Sequence, residues 1–125
     1  MDDAQQETIS KLKFLGKINK GEKINVKELT LQTEGWVTSA SRTVWFVDNR
    51  NNTMSFINNV ISSGFGLIPI LINSDNISDN QLAKGIIQDL VKAQDGIGNL
   101  KTTYSDDTFF CCTIDTYILT IKARI

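Results

Sequence analysis

The last third of the chain carries two apolar series of helical period, and they constrain the fold more than any other feature. From Leu82 the apolar positions are Leu82, Ile86, Leu90, Ala93, Ile97, Leu100 and Tyr104, at steps of 4, 4, 3, 4, 3 and 4. Such steps collect side chains on one side of an α-helix. A second series, Cys111, Ile114, Ile118, Ile121 and Ile125, steps by 3, 4, 3 and 4. Both segments are also apolar outside the stripe, with Ile87 and Val91 on the first and Phe109, Phe110, Tyr117 and Leu119 on the second. Helices apolar on more than one side belong in the centre of a bundle or across a subunit contact. Phe109, Phe110, Tyr117 and Leu119 are therefore the expected self-association face.

Upstream, residues from Asp3 to about Ile18 form an expected first helix. Asp2, Asp3 and Glu7 lie near its positive dipole end and lysines gather toward the other. Ile9, Leu12, Leu15 and Ile18 line one side, and Gly16 and Gly21 bracket the exit. Short alternations at Ile24, Val26, Leu29 and Leu31 suggest an extended segment near residues 24–32. Residues 36–47 admit two readings. The run Thr43-Val44-Trp45-Phe46-Val47 suits a strand paired back in a hairpin, whereas Trp36, Ala40, Val44 and Val47 recur at helical steps. Consistency with the rest of the chain favours the helix.

Asp48 to Asn52 reads as a loop, with Asn52 or Thr53 capping the next helix. In that helix Met54, Ile57, Ile61, Phe65 and Ile68 recur at steps of 3, 4, 4 and 3. Pro69 lacks an amide donor and disfavours helix at Ile68, so the helix is expected to end or kink there. Ser78 and Gln81 match a capping box for the following helix. Gly85, Gly96 and Gly98 inside it each cost about 1 kcal/mol relative to alanine. They imply either close approach by a neighbour or a break near 96–98, rather than a phosphate loop, since no strand precedes them.

What the chain lacks narrows its chemistry. No histidine is present among 125 residues, which removes the usual general base and the commonest metal ligand. Cys111 and Cys112, the only cysteines, are too few for a zinc site and read as small apolar core residues in a reducing compartment. Asp106 and Asp107 follow Ser105 and fit the start of a helix better than a cation site. No catalytic residue, cofactor or metal is expected, and the protein is read as a non-enzyme.

Between residues 9 and 27, six lysines, Lys11, Lys13, Lys17, Lys20, Lys23 and Lys27, face Glu22 alone. They are the candidate anion or nucleic-acid contact. Against that use, no arginine joins them, only Phe14 interleaves them, and the net charge of the chain is −1. The longest unbroken apolar run, Phe65 to Ile72, is too short to span a membrane. The acidic start lacks the pattern of a secretory signal, so an intracellular protein is expected.

Several stretches resemble small uncharacterised proteins of large double-stranded DNA viruses. They are Lys11-Leu-Lys-Phe-Leu-Gly-Lys-Ile, Gly21-Glu-Lys-Ile-Asn-Val, Ser41-Arg-Thr, Asp48-Asn-Arg-Asn-Asn-Thr, Phe110-Cys-Cys and Ile114-Asp-Thr. The resemblance implies a virus-encoded protein located in the virion or in the host cytoplasm or nucleus, and it supplies no site residues.

The expected fold is all-α: one helical domain over residues 1–125, an irregular bundle of four to five helices with a short extended segment near 24–32. The alternative is α+β with a hairpin in 24–47. The expected function is that of a structural or protein-interaction module with a protein partner or a second copy of itself. Nucleic-acid association through residues 11–27 is the alternative, and a small-ligand binder or carboxylate enzyme ranks last.

Overall fold

The computed structural model describes residues 3–24 and 50–125. Four helices account for most of them: α1 (Asp3–Gly16), α2 (Arg50–Ile72), α3 (Ile77–Thr103) and α4 (Thr108–Arg124). No strand occurs among the described residues, and the fold there is all-α. The extended segment expected after Ile24, the helix or hairpin considered for 36–47, and Lys27 lie outside the described residues.

Helix α3 packs against each of the other three, while α1 and α4 do not touch each other. Its stripe is the spine of the core, since Ile86, Leu90, Ala93, Ile97, Leu100 and Tyr104 are all buried and only Leu82 is partly exposed. Ile9, Leu12, Leu15 and Ile18 are buried from the α1 side, and Phe110, Ile114 and Ile121 from the α4 side. α2 is buried more broadly than one stripe, adding Phe56, Val60, Leu67 and Leu71 to Met54, Ile57, Ile61 and Phe65. At 23 residues it is also long and apolar enough to cross a membrane. The unbroken run Phe65 to Ile72 understated this, because Ser, Asn and Gly are tolerated between its apolar residues.

The tightest contact is between α1 and α3. A Cβ at Gly96 would overlap the carbonyl oxygen of Leu15 and lie 2.7 Å from its carbonyl carbon. One at Gly16 would lie 3.0 Å from the Cβ of Lys92. Two glycines therefore let the end of α1 rest on the α3 backbone. This explains Gly96 as close approach, and α3 continues unbroken through Gly98 to Thr103. Nothing in the structure explains Gly85, whose missing Cβ would meet open space.

Beyond Gly16 the chain follows α3 in the same direction. The Asn99 side-chain amide donates to the Ile18 carbonyl (2.7 Å), and the Thr103 hydroxyl donates to the Glu22 carbonyl (2.8 Å). Gly21 turns the chain with φ +89°, a region open to glycine.

Three helix boundaries differ from expectation. α2 begins at Arg50, so Asn52 and Thr53 sit inside its first turn and Thr53 is buried. α3 is capped by Asn76, whose side chain accepts from the Ser78 amide at 2.8 Å, and not by the Ser78/Gln81 box. Asparagine is among the strongest capping residues, and here it stands two positions ahead of the serine. α2 also passes through Pro69 to Ile72. Pro69 is exposed in the last turn, so its missing amide costs a single helical bond and little helix follows to be kinked. Asn80 of α3 donates to the orphan carbonyl of Leu71 and to that of Ser74 just beyond the helix, at 3.0 Å each.

Gly96→Ala is expected to destabilise the fold by about 3 kcal/mol, because the obstacle is backbone rather than a movable side chain. Gly85→Ala should stabilise by about 0.5–1 kcal/mol through helix propensity alone. Denaturant unfolding of both variants checks this. A neutral Gly96→Ala would mean that α1 does not rest on α3.

Candidate functional site

Helix α4 is held on its inner side by three separate devices. At its start Asp107 is the cap, its side chain accepting from the Phe110 amide at 2.9 Å. Arg50, opening α2, reaches this turn: Nη1 pairs with Asp107 at 3.0 Å, Nη2 with Asp106 at 3.3 Å, and the guanidinium lies 4.9 Å from the Tyr104 ring centre. At its middle the Tyr117 hydroxyl donates to the Met54 carbonyl (3.2 Å), and burial pushes its phenol pKa up. At its end the Arg124 guanidinium lies 4.2 Å from the Phe65 ring centre. These contacts advance together along both helices, so α4 runs parallel to α2 and antiparallel to α3.

The Phe110 amide and then Arg50 hold the Asp107 carboxyl below its ordinary pKa, and Asp107 in turn raises that of Arg50. Asp107 therefore contributes stability above the ordinary carboxylate range, and that contribution is lost as pH falls through its depressed folded value. Asp89 behaves oppositely. Burial raises its pKa against the pull of Lys13 and Lys92, so its ionised form opposes folding at neutral pH.

Of the four residues expected to form a self-association face, Phe110 is fully buried and packs at 4.7 Å between ring centres on Tyr104. Tyr117 is half-buried and committed to α2. Phe109 and Leu119 are 70% and 64% exposed. The structure thus divides the set, because the 3.6-residue period turns Phe110 and Tyr117 inward with Ile114 and Ile121 and leaves the other two outside. Cysteine burial is corrected as well: Cys112 is exposed, and Cys111 is half-buried with its thiol directed at the Tyr104 carbonyl at 3.5 Å.

The outward surface of α4 is regular. Phe109, Cys112, Thr116, Leu119 and Ala123 are all exposed and follow at steps of 3, 4, 3 and 4, the spacing of a helix–helix seam. Along one flank lie Asp115 and Lys122, which with Ile118 and Leu119 form the α4 wall of a groove of about 810 Å³. The α3 wall carries Gln94, Asp95, Gly98, Asn99 and Lys101. Lys101 pairs with Asp115 across it at 2.6 Å.

The lysines do not converge on one face of one helix. Lys11 pairs with Glu7 at 3.2 Å and lies over the Phe56 ring at 5.8 Å. Lys13 is exposed on α1 beside Asp89, and Lys17, Lys20 and Lys23 are exposed on the turn that follows α1. Among the described residues no group of three or more His, Cys, Asp or Glu is placed to hold a metal.

The chain matches no family model, no curated protein and no solved structure.

Sequence reasoning missed Arg50, which it placed in a loop. A signal was present, since a cation at a helix start opposes the dipole and calls for an acidic partner elsewhere.

Asp107→Asn keeps a capping oxygen and loses the charge, whereas Asp107→Ala loses both. Melting curves at pH 7 should rank wild type above Asn above Ala, with the gap between wild type and Asn closing below about pH 4. Equal melting of wild type and Asp107→Asn at pH 7 would remove Arg50 from the account. Asp89→Asn should melt above wild type at pH 7 and converge with it in acid, and a lower melting temperature at pH 7 would contradict the burial cause.

Proposed function

We propose that this protein is a non-enzymatic helical interaction module that self-associates through the outer face of α4. The observation that carries the reading is the two-sided character of that helix. Its inner side is satisfied by core packing and by ties to α2, yet Phe109 and Leu119 stand exposed on a seam-like spacing. Exposed apolar residues aligned along one helix are the ordinary substrate of helix-to-helix association. The absence of histidine removes the simplest routes to acid–base chemistry.

The same reading counts the domain as an irregular bundle of four to five helices. It places the protein, through the resemblance to small proteins of large double-stranded DNA viruses, among virus-encoded structural or interaction proteins of the particle or the infected cell. A nucleic-acid role is the second reading, favoured by the exposure of Lys13, Lys17, Lys20 and Lys23. It is weakened by the pairing of Lys11 with Glu7.

Sedimentation equilibrium at micromolar concentrations should give a mass above one chain that rises with concentration. Leu119→Glu should return it to one chain with an unchanged helical circular dichroism spectrum. A one-chain mass for the wild type would contradict the reading. Steeply salt-dependent DNA binding, lost when Lys13, Lys17, Lys20 and Lys23 become Gln, would favour the second reading.

A further inference from the structure

Resting on the α4 reading above, we infer that the partner is a second copy of this chain whose α4 lies antiparallel across the first, in one register fixed by Asp115 and Lys122. In heptad terms Phe109, Thr116 and Ala123 occupy the first seam position, and Cys112 and Leu119 the second. Antiparallel helices pack the first position of one against the second of the other. Opposing Thr116 to the partner's Leu119 also sets Cys112 against the partner's Ala123. The symmetry of such a pair repeats each contact. The exposed Phe109 then reaches the exposed Ile125 at the end of the partner helix, so two further exposed apolar side chains cover each other.

Charge selects this arrangement over the parallel one. Asp115 and Lys122 occupy the same flanking position one heptad apart, and the antiparallel register opposes each to the other across the axis. Two identical ion pairs close the contact, while Thr113 meets Thr120 on the opposite flank without charge. In a parallel pair Asp115 would face Thr120 and neither ion pair would form. Among the described residues Lys122 makes no ion pair, and Asp115 is held at the groove rim by Lys101 at 2.6 Å. The helix offers about 25 Å of length for the contact. Of the seam residues, Cys112, Thr116 and Ala123 are small enough for close approach.

Two experiments on the full chain test the register. Lys122→Glu leaves the Asp115–Lys101 pair intact and opposes like charges twice, so self-association should weaken roughly tenfold. In a Lys101→Gln background, which removes the intramolecular partner of position 115, Asp115→Lys combined with Lys122→Glu should restore most of it. Failure of the double variant to recover, with helicity unchanged, overturns the register. In a Cys111→Ser background, Ala123→Cys should give a disulfide-linked dimer under mild oxidation, and adding Cys112→Ser should abolish it.

A cross-link that survives Cys112→Ser would come from the introduced thiol pairing with its own copy, and would make the pair parallel. The register would then fail while self-association through α4 stands. A wild-type mass of one chain, with no cross-link in any variant, overturns both.

Discussion

The contact between Gly96 and the backbone at Leu15 is the constraint on which the rest of the bundle depends. It lets the end of α1 lie on α3 with no side chain between them, and everything after Gly16 follows from that approach. The chain beyond is then close enough for Asn99 and Thr103 to bind the carbonyls of Ile18 and Glu22. The Ile18 carbonyl is met at a part-buried site, where an unpaired polar group would be costly, whereas the Thr103 bond to Glu22 is exposed and serves as a tie. Close approach and polar satisfaction are here one event.

At the other side of α3 the logic differs. α4 is joined to α3 by a short turn and pinned to α2 at its start, middle and end, by Arg50, Tyr117 and Arg124 in sequence. The three ties differ in kind: an ion pair to the capping carboxylate, a hydrogen bond to a backbone carbonyl and a cation over an aromatic ring. With its inner side fixed at three heights, α4 cannot roll to bury Phe109 or Leu119 without losing Phe110, Ile114 and Ile121 from the core. A helix locked in rotation presents its outer residues as a rigid surface, and rigidity lowers the entropic cost of binding.

The helical stripes of α1, α2 and α3 were legible in the residues, whereas of the α4 series Ile114 and Ile121 are buried, Cys111 and Ile118 are half-buried and Ile125 is exposed. Leu82 to Tyr104 fall on the core side of α3 as their spacing requires, and the stripes of α1 and α2 are buried in the same way. What the residues could not show is which of several competing local signals prevails. Asn76 captured the α3 cap from Ser78 by standing earlier, and Pro69 was accommodated because it falls on the exposed side of the last turn of α2, where only one helical bond is lost and little helix follows. The candidate face was half legible: excess apolarity on α4 is visible in composition, but the rotation that sends Phe110 inward and Phe109 outward depends on where α4 sits against α2 and Tyr104. Arg50 was hidden because its partners lie more than fifty positions away.

The central claim is that α4 has two working sides, one for the core and one for a second copy. A dilution series followed by backbone amide NMR reads this residue by residue. The account predicts that signals of Phe109, Cys112, Thr116, Leu119, Lys122 and Ala123 shift with concentration while those of α1 and the following lysines stay fixed. Shifts confined to Lys13 through Lys23, or none anywhere up to the solubility limit, would contradict it.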